Sequence, residues 1–237
     1  MEFDLRNVEL SRYDIRRGIT LPKKPSKELA EFIGILAGDG HVSFNRMSNK
    51  IYVVGNSITD WEYCGQYIKE LIRKLFSINP TFTKKRGANA VFLTVYSKGF
   101  VSFMQVIGYY KCKTEIRIPD WIINNHVYMT HFTRGLFDTD GCVFVSDKKG
   151  KPRYPCIELT TTNFKLAQNI KNFLEKRNFR VPKIRSYYYA HSSNASYKVS
   201  LYGYANLSKW IKDIRFSNKY KLNRALGYEK QNGTAGI

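Results

Sequence analysis

The sequence contains no apolar run approaching the length needed to span a bilayer, which excludes a membrane-spanning helix. Its first residues, Met1-Glu2-Phe3-Asp4-Leu5-Arg6, are too charged for a signal peptide. Cysteine is scarce. Cys64, Cys112, Cys142 and Cys156 form no Cys-x-x-Cys pair, and the 4 histidines complete no zinc spacing. The cysteines therefore read as reduced, mostly buried thiols of an intracellular protein, cytoplasmic in a prokaryote or else organellar. No Ser-His-Asp or Cys-His arrangement stands out, so a covalent catalytic route has no obvious nucleophile. Acids are also few: 19 Asp and Glu stand against 39 Lys and Arg, a net charge of +20. That excess points to a polyanionic partner, with an anionic membrane surface as the competitor. Hydrophobic residues make up 43% of the 237, enough for a core, and most of the 17 tyrosines and 15 phenylalanines are assigned to it.

What is present is a repeated stretch. Phe32-Ile33-Gly34-Ile35-Leu36-Ala37-Gly38-Asp39-Gly40 is echoed by Thr133-Arg134-Gly135-Leu136-Phe137-Asp138-Thr139-Asp140-Gly141. The two acids are 140 − 39 = 101 residues apart, close to half the chain. Each stretch reads as a helix stopping on an acid followed by glycine, with the glycine expected to end it in a left-handed turn. A carboxylate there meets the negative end of the helix dipole. If the helices pack side by side, the two carboxylates also repel each other. A divalent cation between Asp39 and Asp140 would turn both penalties into a binding site, and Mg2+ suits oxygen ligands completed by water and phosphate. A single copy reads as a turn cap; two copies at half-chain spacing favour the metal.

The helices also carry the means to meet. Ser26, after Pro25, is the predicted N-cap. Leu29, Phe32, Ile33 and Leu36 recur at i, i+3, i+4 and i+7 and form an apolar face. Ala30, Gly34, Ala37 and Gly38 form a small-residue face that lets another helix approach closely. In the second copy Met129, Phe132 and Leu136 supply the apolar face and Gly135 matches Gly34. Each helix is expected to pack a core with one side and its twin with the other.

On these residues the chain resembles the LAGLIDADG homing endonucleases. Gly34, Asp39 and Gly40 match the motif in the first copy; Gly135, Leu136, Asp138, Asp140 and Gly141 match it in the second. Ala37 stands where the motif has its first acid, a position that is not a metal ligand in the family. The resemblance covers roughly residues 27–226.

The rest of the chain repeats with the motif. The first half reads as strands at 41–44 and 50–58, a helix from Thr59 or Asp60 to about Ser77 and strands at 81–86 and 91–97. A helix at 99–107 and a connecting segment, 109–128, complete it. The second half reads as strands at 142–146 and 154–161, a helix from Asn163 to about Lys176 and strands at 180–189 and 196–202. A helix at 205–215 and a tail at 218–230 that forms a last helix follow. The fold class is therefore α+β: two pseudo-twofold-related αββαββα repeats, each with a four-stranded antiparallel DNA-binding sheet, packed through the two LAGLIDADG helices. The expected divisions are a basic lead-in at 1–25, read as disordered or loosely docked, a first repeat at 26–125 and a second at 126–237.

One face of each sheet is expected to be open, polar and basic. Period 2 places Lys183, Arg185, Tyr187 and Tyr189 together, Lys198 beside them, and Lys50 with Tyr52. Lys84, Lys85 and Arg86 crowd a strand end, and Arg153 completes the predicted DNA contacts. Antiparallel ribbons fit the major groove, where side chains reach base edges.

The resemblance implies a sequence-specific endonuclease that hydrolyses one phosphodiester bond on each strand of a long asymmetric double-stranded DNA site, leaving short 3′ overhangs. It implies two or three Mg2+ ions at the helix junction, with Mn2+ or Ca2+ as substitutes for binding. Asp39 and Asp140 are the ligands, assisted by the carbonyls of Gly38 and Thr139. Lysines of the Lys111-Cys112-Lys113 and Lys219-Tyr220-Lys221 pairs resemble the family's catalytic-pocket lysine, and Lys111 and Lys219 are preferred. Ser57 and Thr160 align with its water-ordering position. A monomer without membrane contact, free-standing or intron-encoded, is expected. The alternatives are a maturase that binds its own intron RNA on the same scaffold and a DNA-binding regulator without cleavage.

Overall fold

The computed structural model describes residues 1–43, 49–111, 115–148, 151–188 and 194–234. They form two compact units, Met1–Thr139 and Asp140–Ile237. In chain order the first holds α1 (Arg12–Arg16), α2 (Lys27–Ala37), β1 (Gly40–Val42), β2 (Lys50–Asn56), α3 (Lys69–Phe76), β3 (Thr81–Lys84), β4 (Ala90–Tyr96), α4 (Lys98–Val106), β5 (Tyr110–Lys111), β6 (Ile116–Arg117), α5 (Asp120–Ile123) and α6 (His126–Thr139). The second holds β7 (Gly141–Lys148), β8 (Lys151–Thr161), α7 (Phe164–Lys176), β9 (Arg185–Tyr187), β10 (Ser196–Tyr202), α8 (Tyr204–Asp213) and α9 (Lys219–Thr234). The second motif helix, α6, thus belongs to the first unit, because its largest contact is with α2. The two compact units divide at 139/140.

Each unit contains a four-stranded antiparallel sheet of the same order, β1-β2-β4-β3 and β7-β8-β10-β9. Each sheet starts on the motif's last glycine: Gly40 pairs with Val53, and Gly141 with Leu159. Alternation sorts the first sheet cleanly. Ile51, Val53, Val91, Leu93 and Val95 are buried on one face, whereas Lys50, Tyr52, Phe92 and Thr94 are half-buried on the other. In the second unit Ile157, Leu159, Val199 and Leu201 join Leu166, Ile170, Leu174, Leu207 and Trp210 of α7 and α8 in the core.

Four sequence expectations change. The lead-in is docked, not loose. Phe3 packs edge-on against Phe103 and Trp121, and its N–H donates to the Lys23 carbonyl at 2.8 Å. Ser11 and Asp14 close a capping box on α1, and the buried Asp14 carboxylate also accepts from the Gly99 N–H at the start of α4, at 3.1 Å. The connecting segment holds the β5–β6 pair and α5. Trp61, expected inside, is exposed, and the chain from Tyr63 to Ile68 winds as a π-helix before α3. The third strand of the second sheet is three residues long, so Lys183 precedes it.

Candidate functional site

The two motif helices pair through their glycines. A Cβ on Gly34 would meet the Phe132 carbonyl oxygen at 2.1 Å, and one on Gly135 would meet the Glu31 carbonyl oxygen at 2.2 Å. Adding the motif offset of 101 turns 34 into 135 and 31 into 132, so the contact is its own mirror. The Tyr128 hydroxyl donates to the Pro25 carbonyl at 3.4 Å, so both N-termini lie at one end and α2 and α6 run parallel. Leu29, Phe32, Ile33, Leu36, Met129 and Leu136 are buried as the sequence pattern requires. Beside the contact, Glu31 is buried, accepts from the Tyr67 hydroxyl at 2.6 Å and lies 3.2 Å from His131 Nδ1 and 3.4 Å from the Arg134 guanidinium. Nothing in the motif pattern signals this cluster; only the mismatch of a glutamate on a buried helix could have flagged it.

Ser26 caps α2 as predicted, accepting from the Leu29 N–H at 3.0 Å. The helix does not end in a left-handed turn, however: Gly38 has φ −78°. Gly40 is required for space, since a Cβ there would lie 2.4 Å from the Leu36 Cα. The strand therefore starts pressed against the last helical turn. Asp39 sits in that tight reversal with its residue exposed, and Asp140, beginning the second unit, is exposed as well. Asp39 and Asp60 add their charges to burial, which comes first, in pushing the Cys64 thiol up to about 12.

Lys111, on β5, reaches this reversal. Its ammonium donates to the carbonyls of Leu36 at 3.1 Å and Gly40 at 2.9 Å, and also to that of Gly38. These carbonyls carry the negative end of the helix dipole, where a cation is favoured. Burial first, then the ammonium groups of Lys111 and Lys50, hold the His41 imidazole below its ordinary value. In the second unit Lys221 reaches the motif: its ammonium donates to the Gly141 carbonyl at 2.5 Å, while Lys219, at the start of α9, is exposed. Lys113 and Cys112 lie outside the described residues. An exposed carboxylate beside a cradle of carbonyl oxygens that already holds a cationic head group is a donor set that fits a hard divalent ion. Among the described residues no three His, Cys, Asp or Glu converge as a metal cluster.

The open faces of the two sheets differ in chemistry. On the first, His41 stacks on Tyr52 with centroids 4.9 Å apart, Phe92 lies 6.0 Å further on, and Lys50 sits over the Tyr52 ring. This face is aromatic rather than basic; the basic residues Lys84, Lys85 and Arg86 cluster at the exposed β3–β4 turn. On the second, Arg185 and Tyr187 share a face with Lys198, whose ammonium lies 5.2 Å from the Tyr187 ring centre. Glu158, which the sequence reading passed over, accepts from Lys198 and from the Ser200 hydroxyl, both at 2.7 Å. Tyr189 and the side chain of Arg153 lie outside the described residues, and Lys183 is exposed just before β9. Ser57 follows β2, whereas Thr160 lies within β8. Strand register makes Val54 the counterpart of Thr160, because Val53 and Leu159 are the partners of the motif glycines. The two hydroxyls therefore do not occupy matching positions.

Comparison with known proteins agrees with this architecture. The LAGLIDADG-like domain family matches residues 128–215. An uncharacterized protein of Methanocaldococcus jannaschii is 31% identical over 163 residues, covering 64% of this chain and 55% of that protein. The chain thus spans about half the length of this curated relative. Among solved structures, I-DmoI in complex with DNA and Ca superposes with a TM-score of 0.57 at 15% identity, over 86% of this chain and 97% of that one. The same protein with DNA and Mn gives 0.53 at 17% identity, over 79% and 96%. The I-LtrWI LAGLIDADG homing endonuclease bound to target DNA gives 0.57 at 11% identity, over 88% and 92%. Residues 128–215 of the chain thus match a LAGLIDADG-like domain, and the α+β fold of the chain is that of I-DmoI and the I-LtrWI LAGLIDADG homing endonuclease.

Proposed function

We propose that the protein is a sequence-specific, double-strand DNA endonuclease of the homing type, acting as a monomer on a long asymmetric site. The observation that carries this reading is the pair of motif helices, parallel and joined through Gly34 and Gly135, each leading within two residues to an acid, then a glycine and a sheet. In this reading Asp39 and Asp140 hold divalent metal ions, Mg2+ in the cell, with help from the Gly38 and Thr139 carbonyls. Bound there, the metal supplies an activated water and neutralises charge on the phosphate and leaving oxygen. The chain's own residues do the rest. Lys111 and Lys221 lie against the carbonyls of the motif ends and place positive charge beside the scissile phosphates.

Lys84, Lys85 and Arg86 on the first unit, and Lys183, Arg185 and Lys198 on the second, contact phosphate and base edges. The unlike open faces favour an asymmetric site: an aromatic face suits thymine methyls, and a face of Arg185, Lys198, Ser200 and Glu158 suits polar base edges. The DNA-bound states of I-DmoI and I-LtrWI support double-stranded DNA as the partner.

The test is to incubate the purified chain with a randomised duplex library and Mg2+ and to sequence the broken ends. One recurrent long site, cut on both strands with short 3′ overhangs and only with metal present, is the expected result. Retention of one sequence without breakage would instead make the protein a DNA-binding regulator. Neither retention nor breakage by folded protein would transfer the fold to intron RNA.

A further inference from the structure

Lys111 occupies the position at the first motif where a cation is most wanted. Its half-buried ammonium donates to the carbonyls of Leu36, Gly38 and Gly40. The Leu36 and Gly38 carbonyls belong to the end of α2, whose last carbonyls have no partner within the helix. The second unit repeats the arrangement from a different element: Lys221, on a helix rather than a strand, donates to Gly141, the register counterpart of Gly40. Two unrelated elements deliver an ammonium to the same motif carbonyl, which marks the placement as a property of the site.

We propose that Lys111 is a tethered cation that holds the Gly38 carbonyl in the metal-free protein and leaves it when a divalent ion binds, so that Lys111 sets the metal concentration the first motif requires. This rests on the reading of Asp39 as a metal ligand. An ammonium and a divalent ion cannot share one carbonyl without strong repulsion across a few ångströms. While Lys111 is in place, the oxygens that a metal would use are satisfied and the end of α2 is stabilised. Metal binding must displace that contact.

The test uses the full chain without DNA, so no cleavage enters the readout. Mn2+ binding is followed by loss of the free-ion electron paramagnetic resonance signal, with thermal melting in parallel. Lys111→Met should bind Mn2+ on the order of tenfold more tightly, the scale expected for removing a unit charge beside a divalent ion in a solvated site. Its metal-free melting temperature should fall, and Mn2+ should raise it by more than it raises that of the unaltered chain. Lys50→Met removes the same charge from a neighbour that lies over the Tyr52 ring, and should leave Mn2+ affinity unchanged. Asp39→Asn added to Lys111→Met should abolish the gain. Lys111→Gln, which keeps a donor but no charge, replaces Lys111→Met if the latter does not fold. Equal or weaker binding by both Lys111 variants, or an equal gain in Lys50→Met, overturns the proposal while leaving Asp39 as a ligand. Absence of Asp39-dependent binding in every variant overturns both.

Discussion

Gly34 and Gly135 face each other's helix so closely that each leaves room for a carbonyl oxygen and nothing more. The Phe132 carbonyl lies 2.1 Å from where a Gly34 Cβ would stand, and the Glu31 carbonyl 2.2 Å from that of Gly135. The obstructing atoms are backbone, which cannot swing aside as a side-chain tip can. Gly34→Ala or Gly135→Ala must therefore push α2 and α6 apart. Overpacking of a close interface costs about 1–3 kcal/mol, and these contacts belong at the upper end. Urea unfolding should show the loss for each substitution, whereas Gly87→Ala, an open position with φ +68°, should cost less.

Glu31 should matter for stability although it is absent from the catalytic reading. It gathers Tyr67, His131 and Arg134 at the helix pair, and its side chain is 4% exposed. Removing it takes this charged acceptor from Tyr67, His131 and Arg134. Glu31→Ala is expected to cost about 1.5–3 kcal/mol, the range for hydrogen bonds to a charged group. Glu31→Gln should recover part of it, as read by the same unfolding measurement.

Asp14 gives the N-terminal segment a pH signature. Burial would raise its pKa, but hydrogen bonds from Ser11, Ser97 and Gly99 outweigh burial and hold the carboxyl well below its ordinary value. A depressed folded-state pKa contributes stability that is complete above the unfolded value near 4 and is lost as pH falls below it. Asp14→Asn should therefore be less stable than the unaltered chain at pH 7. The gap should narrow as the pH is taken below about 4. A gap independent of pH would show that the carboxylate's charge is not what holds the segment.

Much of this was legible in the sequence because it rests on period and steric need. The motif helices, the Ser26 cap, the apolar faces and the order of strands follow from spacing that any core-packing helix or half-buried strand must obey. The close helix contact follows from Gly34 and Gly135. What was not legible depends on partners far away in sequence. Lys221 meets the Gly141 carbonyl because α9 turns that face toward it, a matter of helix phase across 80 residues. The glycine after Asp39 looked like a left-handed terminator, yet the need is for space against Leu36. The lead-in looked loose because nothing local shows that Asp14 accepts from Gly99, which is 85 residues on. The open face of the first sheet was expected to be basic from total charge, but that charge sits at the β3–β4 turn, leaving His41, Tyr52 and Phe92 in its centre.

DNA binding should be strongly salt-dependent if the basic groups meet phosphates. With about six phosphates neutralised, affinity should fall by roughly 10³-fold between about 50 and 200 mM salt. Substituting Lys84, Lys85 and Arg86 together by alanine should flatten the slope and weaken binding to all sequences alike. Filter binding across a salt series measures both.

The most direct test of the central claim is cleavage of the selected duplex by Asp39→Asn and Asp140→Asn, with binding measured alongside. Each substitution keeps the size of the side chain and removes the charge that would hold the metal. DNA binding should be nearly unchanged and double-strand cleavage lost in both variants. Undiminished double-strand cleavage by either one would contradict the central claim.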